Sequence, residues 1–317
     1  MDEALVAIRA VHFASTAMTV GVLFFVAAVA GPIFQTEASQ AVGSAFRTRS
    51  LHIVWIWLAL SALSGVAWVS LQTAAMSGLP LVEAMSVDVL WVVLSKTQFG
   101  IVSDIRLILT ILLAIALALP YTRSVTGLLP SFLAAVLLLG IAWTGHAAGT
   151  IGQIGKIHLA ADALHLFAAA VWIGGLVPLL LLLRAAREHN DETWAAIAAH
   201  VTRRFSTLGI ISVGTLLVTG IVNSWILVGS AEGLVRTDYG RLVLAKIALF
   251  GAMVSVAAVN RWRLTPQLSE PAVTSSRVEV LRRLTHNIVI EIALGLSAFF
   301  VVGVLGTLHP AIHLVPL

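Results

Sequence analysis

Eight stretches of this chain stay apolar for roughly the ~20 residues a helix needs to cross a bilayer, and no other feature constrains its fold as tightly. They cover about 4–30, 50–76, 100–120, 126–148, 156–183, 205–229, 239–261 and 284–308. The runs are continuous rather than alternating, so their backbone polar groups must be satisfied within helices and not in the wall of a β-barrel. Charged residues make up 11% of the 317 positions, against about 25% in a soluble domain. The expected fold is therefore all-α: a polytopic transmembrane bundle forming one integral membrane domain over 1–317. The first run is too long for a signal-peptide core and is read as a retained span. Segment 78–96, interrupted by Pro80, Glu83 and Asp88, reads as an interfacial helix. Segment 264–280, with Pro266 and Pro271, reads as a hydrophilic linker on the cytoplasmic side.

Sidedness follows from the basic residues, which collect in cytoplasmic loops. Arg47, Arg49, Arg123, Arg184, Arg187, Arg203, Arg204, Arg261, Arg263, Arg277, Arg282 and Arg283 are twelve of the nineteen Lys and Arg, and all follow odd-numbered spans. Those loops are cytoplasmic on this count, and both termini lie outside. The net charge of +4 resides in the loops and points to no nucleic-acid partner.

The same assignment sorts the ten histidines. His12, His146, His158, His165, His309 and His313 fall on the outer side, drawn from spans one, four, five and eight. The densest group is His158-x3-Asp162-x2-His165, where i, i+4 and i+7 share one helical face. Polar stripes inside membrane helices are costly and mark function by default, and two imidazoles around a carboxylate suit a transition metal. The chain has no cysteine and only five methionines, so histidine is the principal ligand type. By rise per residue His165 lies roughly 13 Å, and His12 about 12 Å, below the outer ends of their spans. A shallow group (His146, His158, His309, His313) and a deep pair (His12, His165) would form a relay from surface to interior. Asp162 is expected to orient its flanking imidazoles through their ring N–H groups, the alternative being a structural pairing with Lys156 or with a polar group on another span.

Other polar residues fall inside spans. Glu291, Asn223 and Lys246 are candidates for a pathway inward, with Asp104 as a partner for Lys246 by depth. Trp143 and Trp172 read as interfacial aromatic packing. Arg203-Arg204-Phe205-Ser206 and Asn260-Arg261 read as cytoplasmic anchors. No phosphate-binding loop is present, which argues against ATP-driven pumping within this chain, and no substrate-binding signature points to an enzyme.

His158-x3-Asp162-x2-His165-Leu-x-Ala-Ala-Ala-x-Trp172-x-Gly174-Gly175-Leu resembles the signature of the copper-resistance D family (CopD/PcoD). Supporting matches are Thr144-Gly145-His146-Ala147, Arg204-Phe205-Ser206, Thr219-Gly220 with Asn223, Tyr239-Gly240-Arg241 with Lys246, Asn260-Arg261 and Glu291, and Arg9-x2-His12 in the first span. The resemblance implies an eight-span protein of the bacterial inner membrane that moves copper, as Cu(I) or Cu(II), inward from the periplasm. It also implies a small periplasmic copper-binding partner of the CopC type. The competing reading from the residues is a b-type cytochrome, with His12 and His165 as axial ligands to haem b.

Overall fold

The computed structural model describes residues 2–35, 37–119, 125–189, 191–268 and 274–314, with no strand among them. Seven helices among these residues are long and apolar enough to span a bilayer, and an eighth apolar segment, Leu128–Thr144, is shorter. We label the eight in chain order as α1 (Asp2–Phe24), α2 (Glu37–Ser77), α3 (Gln98–Ala118), α4 (Val125–Leu139), α5 (Gly152–Ala169), α6 (Glu192–Val228), α7 (Asp238–Val259) and α8 (Thr274–Leu305). The fifth span continues through a π-helical turn at Ala170–Gly174 into a helix over Gly175–His189.

Two spans form the centre. The most apolar window of α1 is 78% buried and that of Gly152–His189 is 67% buried, against 33% or less for the other five. Small side chains explain the contact: α1 buries Ala10, Ala14, Ser15, Thr16, Ala17 and Thr19, and membrane helices pack closely where such residues lie. At the crossing, a Cβ on Gly174 would stand 2.8 Å from the Ala17 carbonyl and 2.9 Å from Gly21 Cα. The Trp-x-Gly-Gly part of the fifth-span motif is thus partly a packing requirement. α8 runs antiparallel to α1, with Gly303 against Val6 and Ala10 and Gly306 against Arg9. Residues near both chain ends therefore share one end of the bundle, as eight spans require.

Hydropathy marks only the apolar part of each helix, so several helices outrun it. α2 begins at Glu37 and α6 at Glu192, where the Asp191 side chain caps the Trp194 amide at 2.8 Å. The interfacial segment is two short helices, Leu81–Ala84 and Val87–Lys96, separated where Ser86 turns extended; Val82, Val87 and Trp91 are exposed. The expected linker is largely helical: Thr265–Gln267 forms one turn, and α8 starts at Thr274. Positions 269–273, including Pro271, lie outside the described residues, as does Arg123. Between α4 and α5 the chain tightens into a 3-10 turn at Gly140–Thr144, then a single turn at His146–Gly149. It then reverses through Gly152, whose φ of +74° favours glycine.

Candidate metal-binding and transfer site

The α4–α5 hairpin brings its two histidines together, as their places in the sequence imply. His158 is 1% exposed, and His146 and His158 are electrostatic neighbours. Thr150, on the turn between them, joins both. Its hydroxyl donates to the His146 carbonyl (3.3 Å) and lies 2.9 Å from His158 Nδ1. Since the hydroxyl proton is committed, His158 Nδ1–H donates to Thr150, and the lone pair of Nε2 remains free. His146 works in the mirror sense: Nε2–H donates to the Leu305 carbonyl at 3.3 Å, leaving Nδ1 free. Burial holds the His146 pKa below its ordinary value; the Leu305 bond opposes that shift, while Arg9, His309 and His313 add to it by charge. His309 and His313 are exposed and lie within electrostatic range of His146, at the end of the bundle near the chain termini.

One level deeper, α5, α6 and α7 share a second polar group. His165 Nδ1 lies 2.9 Å from Thr219 Oγ1, whose proton goes back to the Thr215 carbonyl at 2.6 Å. His165 therefore donates from Nδ1 and keeps Nε2 free. Beside it a cavity of about 70 Å³ is lined by His165, Lys246, Trp172 and Phe250. Asn223 donates to Asp162 at 3.4 Å, and its own Oδ1 is buried without a partner. Lys246 interacts electrostatically with Asp162, which is also coupled to Tyr239. Two sequence expectations are corrected here. Lys246 is matched to Asp162 and not to Asp104, which is exposed on α3. Asp162 does not orient its flanking imidazoles, whose Nδ1–H groups go to Thr150 and Thr219; it faces polar groups of other spans, accepting from Asn223 on α6 and interacting with Lys246 of α7, while Lys156 is exposed. Tyr239, whose ring meets His146 edge-on at 6.0 Å, links the two levels.

His12 belongs elsewhere. Its Nδ1–H donates to the Ser61 carbonyl at 3.0 Å, with Ser64 Oγ at 3.1 Å, and its Nε2 accepts from Arg106 at 2.6 Å. Arg106 also donates to the Leu137 carbonyl at 3.3 Å. The expected deep pairing of His12 with His165 is not built: His12 looks to α2 and α3, His165 to α6, and His12 has no nitrogen left for a metal or a haem iron. Serines on α2 and a carbonyl on α4 leave no spacing signal, so the sequence alone does not reveal this network.

Glu291 sits toward the opposite end, 2% exposed. It accepts from Asn260 at 2.7 Å and shares a cavity wall with Trp172, and Asn287 donates to Asn260 at 2.7 Å. Trp172 and Asn260 both lie on π-helical turns, Ala170–Gly174 and Asn260–Leu264, a feature often found at functional sites. Trp172 is 2% exposed, so it is an internal residue and not an interfacial belt residue. Asn260 is likewise a carboxyl partner before it is an anchor. Among the described residues, no group of three or more His, Asp or Glu is gathered tightly enough to hold a metal ion by itself. The polar residues form successive levels instead.

Several helices able to cross a bilayer, with buried imidazoles between them, define a polytopic membrane protein with a polar interior. Comparison with known proteins narrows this class. The profile for Copper resistance protein D matches residues 199–305, and that for the Copper resistance protein D-like N-terminal domain matches residues 1–156. The chain belongs to the copper-resistance D family. It is 29% identical to Copper resistance protein D of Pseudomonas syringae pv. tomato over 258 residues, covering 78% of this chain and 83% of that protein. It is 28% identical to inner membrane protein YebZ of Escherichia coli K12 over 305 residues, 96% and 98% of the two. A 124-residue stretch is 36% identical to copper transport protein CutJ of Bacillus subtilis, 39% of this chain and 22% of CutJ. No solved structure matches the chain.

Proposed function

We propose that the protein sits in the bacterial inner membrane, takes copper ions at the end that carries the chain termini, and passes them into or across the bilayer. The observation that carries this reading is the pattern of half-engaged imidazoles. His146, His158 and His165 each have one nitrogen fixed by a hydrogen bond and one without a partner among the described residues. A neutral imidazole held this way is the form that ligates a metal. Exposed His309 and His313 are the first contact, suited to receive copper from a soluble periplasmic donor of the CopC type. His146 and His158 form the resident site. Lys246 opposes a cation at the deeper level, so His165, Asp162 and Asn223 are a step of passage, with Tyr239 between the levels and Glu291 as the station beyond. His12 serves the framework. The chain acts as a carrier and not as an enzyme.

Copper retained by purified protein and copper accumulated by cells test this together. His158→Ala and His165→Ala are expected to lower both while expression holds. His189→Ala, which removes a ring stacked on Trp194 at 4.8 Å, is expected to change neither. Equal losses at all three positions would mean that fold and not ligation was being read. A reporter fused after Leu317 is expected to be active only in the periplasm; activity in the cytoplasm would reverse the direction of transfer.

A further inference from the structure

Next to Glu291 lies a cavity of about 170 Å³, the larger of the two described, and of its walls the copper route draws on Glu291 alone. Its walls are mostly apolar, among them Leu176, Leu179, Phe205, Val213, Val254 and Ile288. Ile210 on α6 and Trp262 beyond α7 line it while 50% and 72% exposed, so it opens sideways toward lipid between those helices. Thr202 on α6 also lines it. That residue is 5% exposed, and its hydroxyl is buried with no hydrogen-bond partner. Thr207, Thr215 and Thr219 on the same helix each donate to the carbonyl four residues back. Thr202 does not, and a buried hydroxyl left unmade costs about 1–3 kcal/mol. A ligand that accepts from it removes that cost.

The charges of the lining set the ligand's class. Glu291 and Arg261 both face the cavity without forming a salt bridge; Glu291 is held by Asn260, and Arg261 donates to Ser206 at 2.8 Å. A cation would meet the guanidinium and an anion the carboxyl, so a neutral head is favoured over either. Arg261 retains further N–H donors on the wall formed by α7, and Thr202 offers one from α6. Two donors on different walls call for a head with two acceptors. The volume suits a single six-membered ring, since an apolar cavity of roughly 150 Å³ holds benzene. A phospholipid fits less well: Glu291 opposes its phosphate, and an acyl chain makes no use of Thr202 or Arg261.

We propose that this cavity binds a lipid-soluble quinone, a neutral planar ring with two carbonyl acceptors on an apolar body, entering from the bilayer between α6 and α7. Gly209 provides the test. It lines the cavity, and a Cβ added there meets nothing within 4 Å, so a larger side chain fills the space without displacing backbone. The full-length protein in nanodiscs is titrated with a decyl-substituted benzoquinone while tryptophan fluorescence is followed, since Trp172 and Trp262 both line the site. Saturable quenching is expected for the wild type. Gly209→Leu is expected to weaken it at least tenfold, and Thr202→Val about fivefold, the equivalent of one hydrogen bond. Gly214→Leu, at another open glycine of α6, is expected to bind as wild type does. Should Gly209→Leu melt early, Thr202→Val decides alone. Absence of saturable quenching in the wild type, unchanged affinity in both Gly209→Leu and Thr202→Val, or displacement of the quinone by phosphatidylethanolamine vesicles would overturn the assignment.

Discussion

His12 on α1 and His165 on α5 both lie within the membrane-spanning part of the bundle, yet their rings are engaged in opposite ways. Around His12 every polar atom of the ring is spent: Ser61 takes the proton on Nδ1, and Arg106 gives one to Nε2. Around His165 a single threonine fixes one nitrogen and leaves the other beside a cavity. On the proposed function, what separates a framework histidine from a ligand is neither depth nor burial but whether the second nitrogen is taken. The same rule places His146 and His158 with His165.

The comparison breaks most sharply at His12. His12→Ala leaves the Arg106 guanidinium, 6% exposed, short of one acceptor, and hydrogen bonds to charged groups are worth roughly 1.5–3 kcal/mol. Loss of folded protein is expected, measured as a lowered melting temperature on size-exclusion, with copper bound per folded molecule unchanged. If His12→Ala folds well and loses copper, the division between the two regions fails. His158→Ala is the converse: the melting point is expected to move little, while copper affinity drops by more than the 10–100-fold typical of a supporting residue.

Smaller effects sharpen the division. Thr219→Val and Thr150→Val remove the groups that fix ring orientation, so copper affinity should fall by about 10–100-fold, with Thr→Ser at either site restoring it. Asp162→Asn keeps an acceptor for Asn223 but deprives Lys246 of its counter-charge. Stability should fall, and Lys246→Met should recover part of it in the double variant; additivity of the two would show that they are not coupled. The smallest effect is with pH. His146 has a lowered pKa in the folded state because it is buried, so the unfolded chain binds the proton first. The resulting stability is present above the ordinary histidine value near 6.5 and is lost as pH falls through it toward the folded value. His146→Gln should flatten that part of the stability profile.

Much of the fold was legible because a bilayer imposes it: the eight apolar runs and the return of both chain ends to one side follow from length and hydropathy. Helix ends were not legible where polar residues carry α2, α6 and α8 past the apolar core. The closeness of His146 to His158 could be read from one short turn. Thr150 and Thr219, which decide the state of the His158 and His165 rings, could not, since a threonine in a membrane helix carries no mark of what it will face. Depth along a span pairs Lys246 with Asp104 and not with Asp162, because depth says nothing about which neighbour lies on which side. Asn260 was hidden in an apparent anchor, and its π-helical turn leaves no trace in periodicity.

The central claim, that half-engaged histidines near the chain termini hold copper, is tested most directly by metal analysis and an optical spectrum on one purified sample. The wild type is predicted to retain copper without an intense haem absorption band, and the His146→Ala, His158→Ala double variant to lose that copper while eluting as a folded protein. A haem band without copper in the wild type, or full copper retention in the double variant, would contradict it.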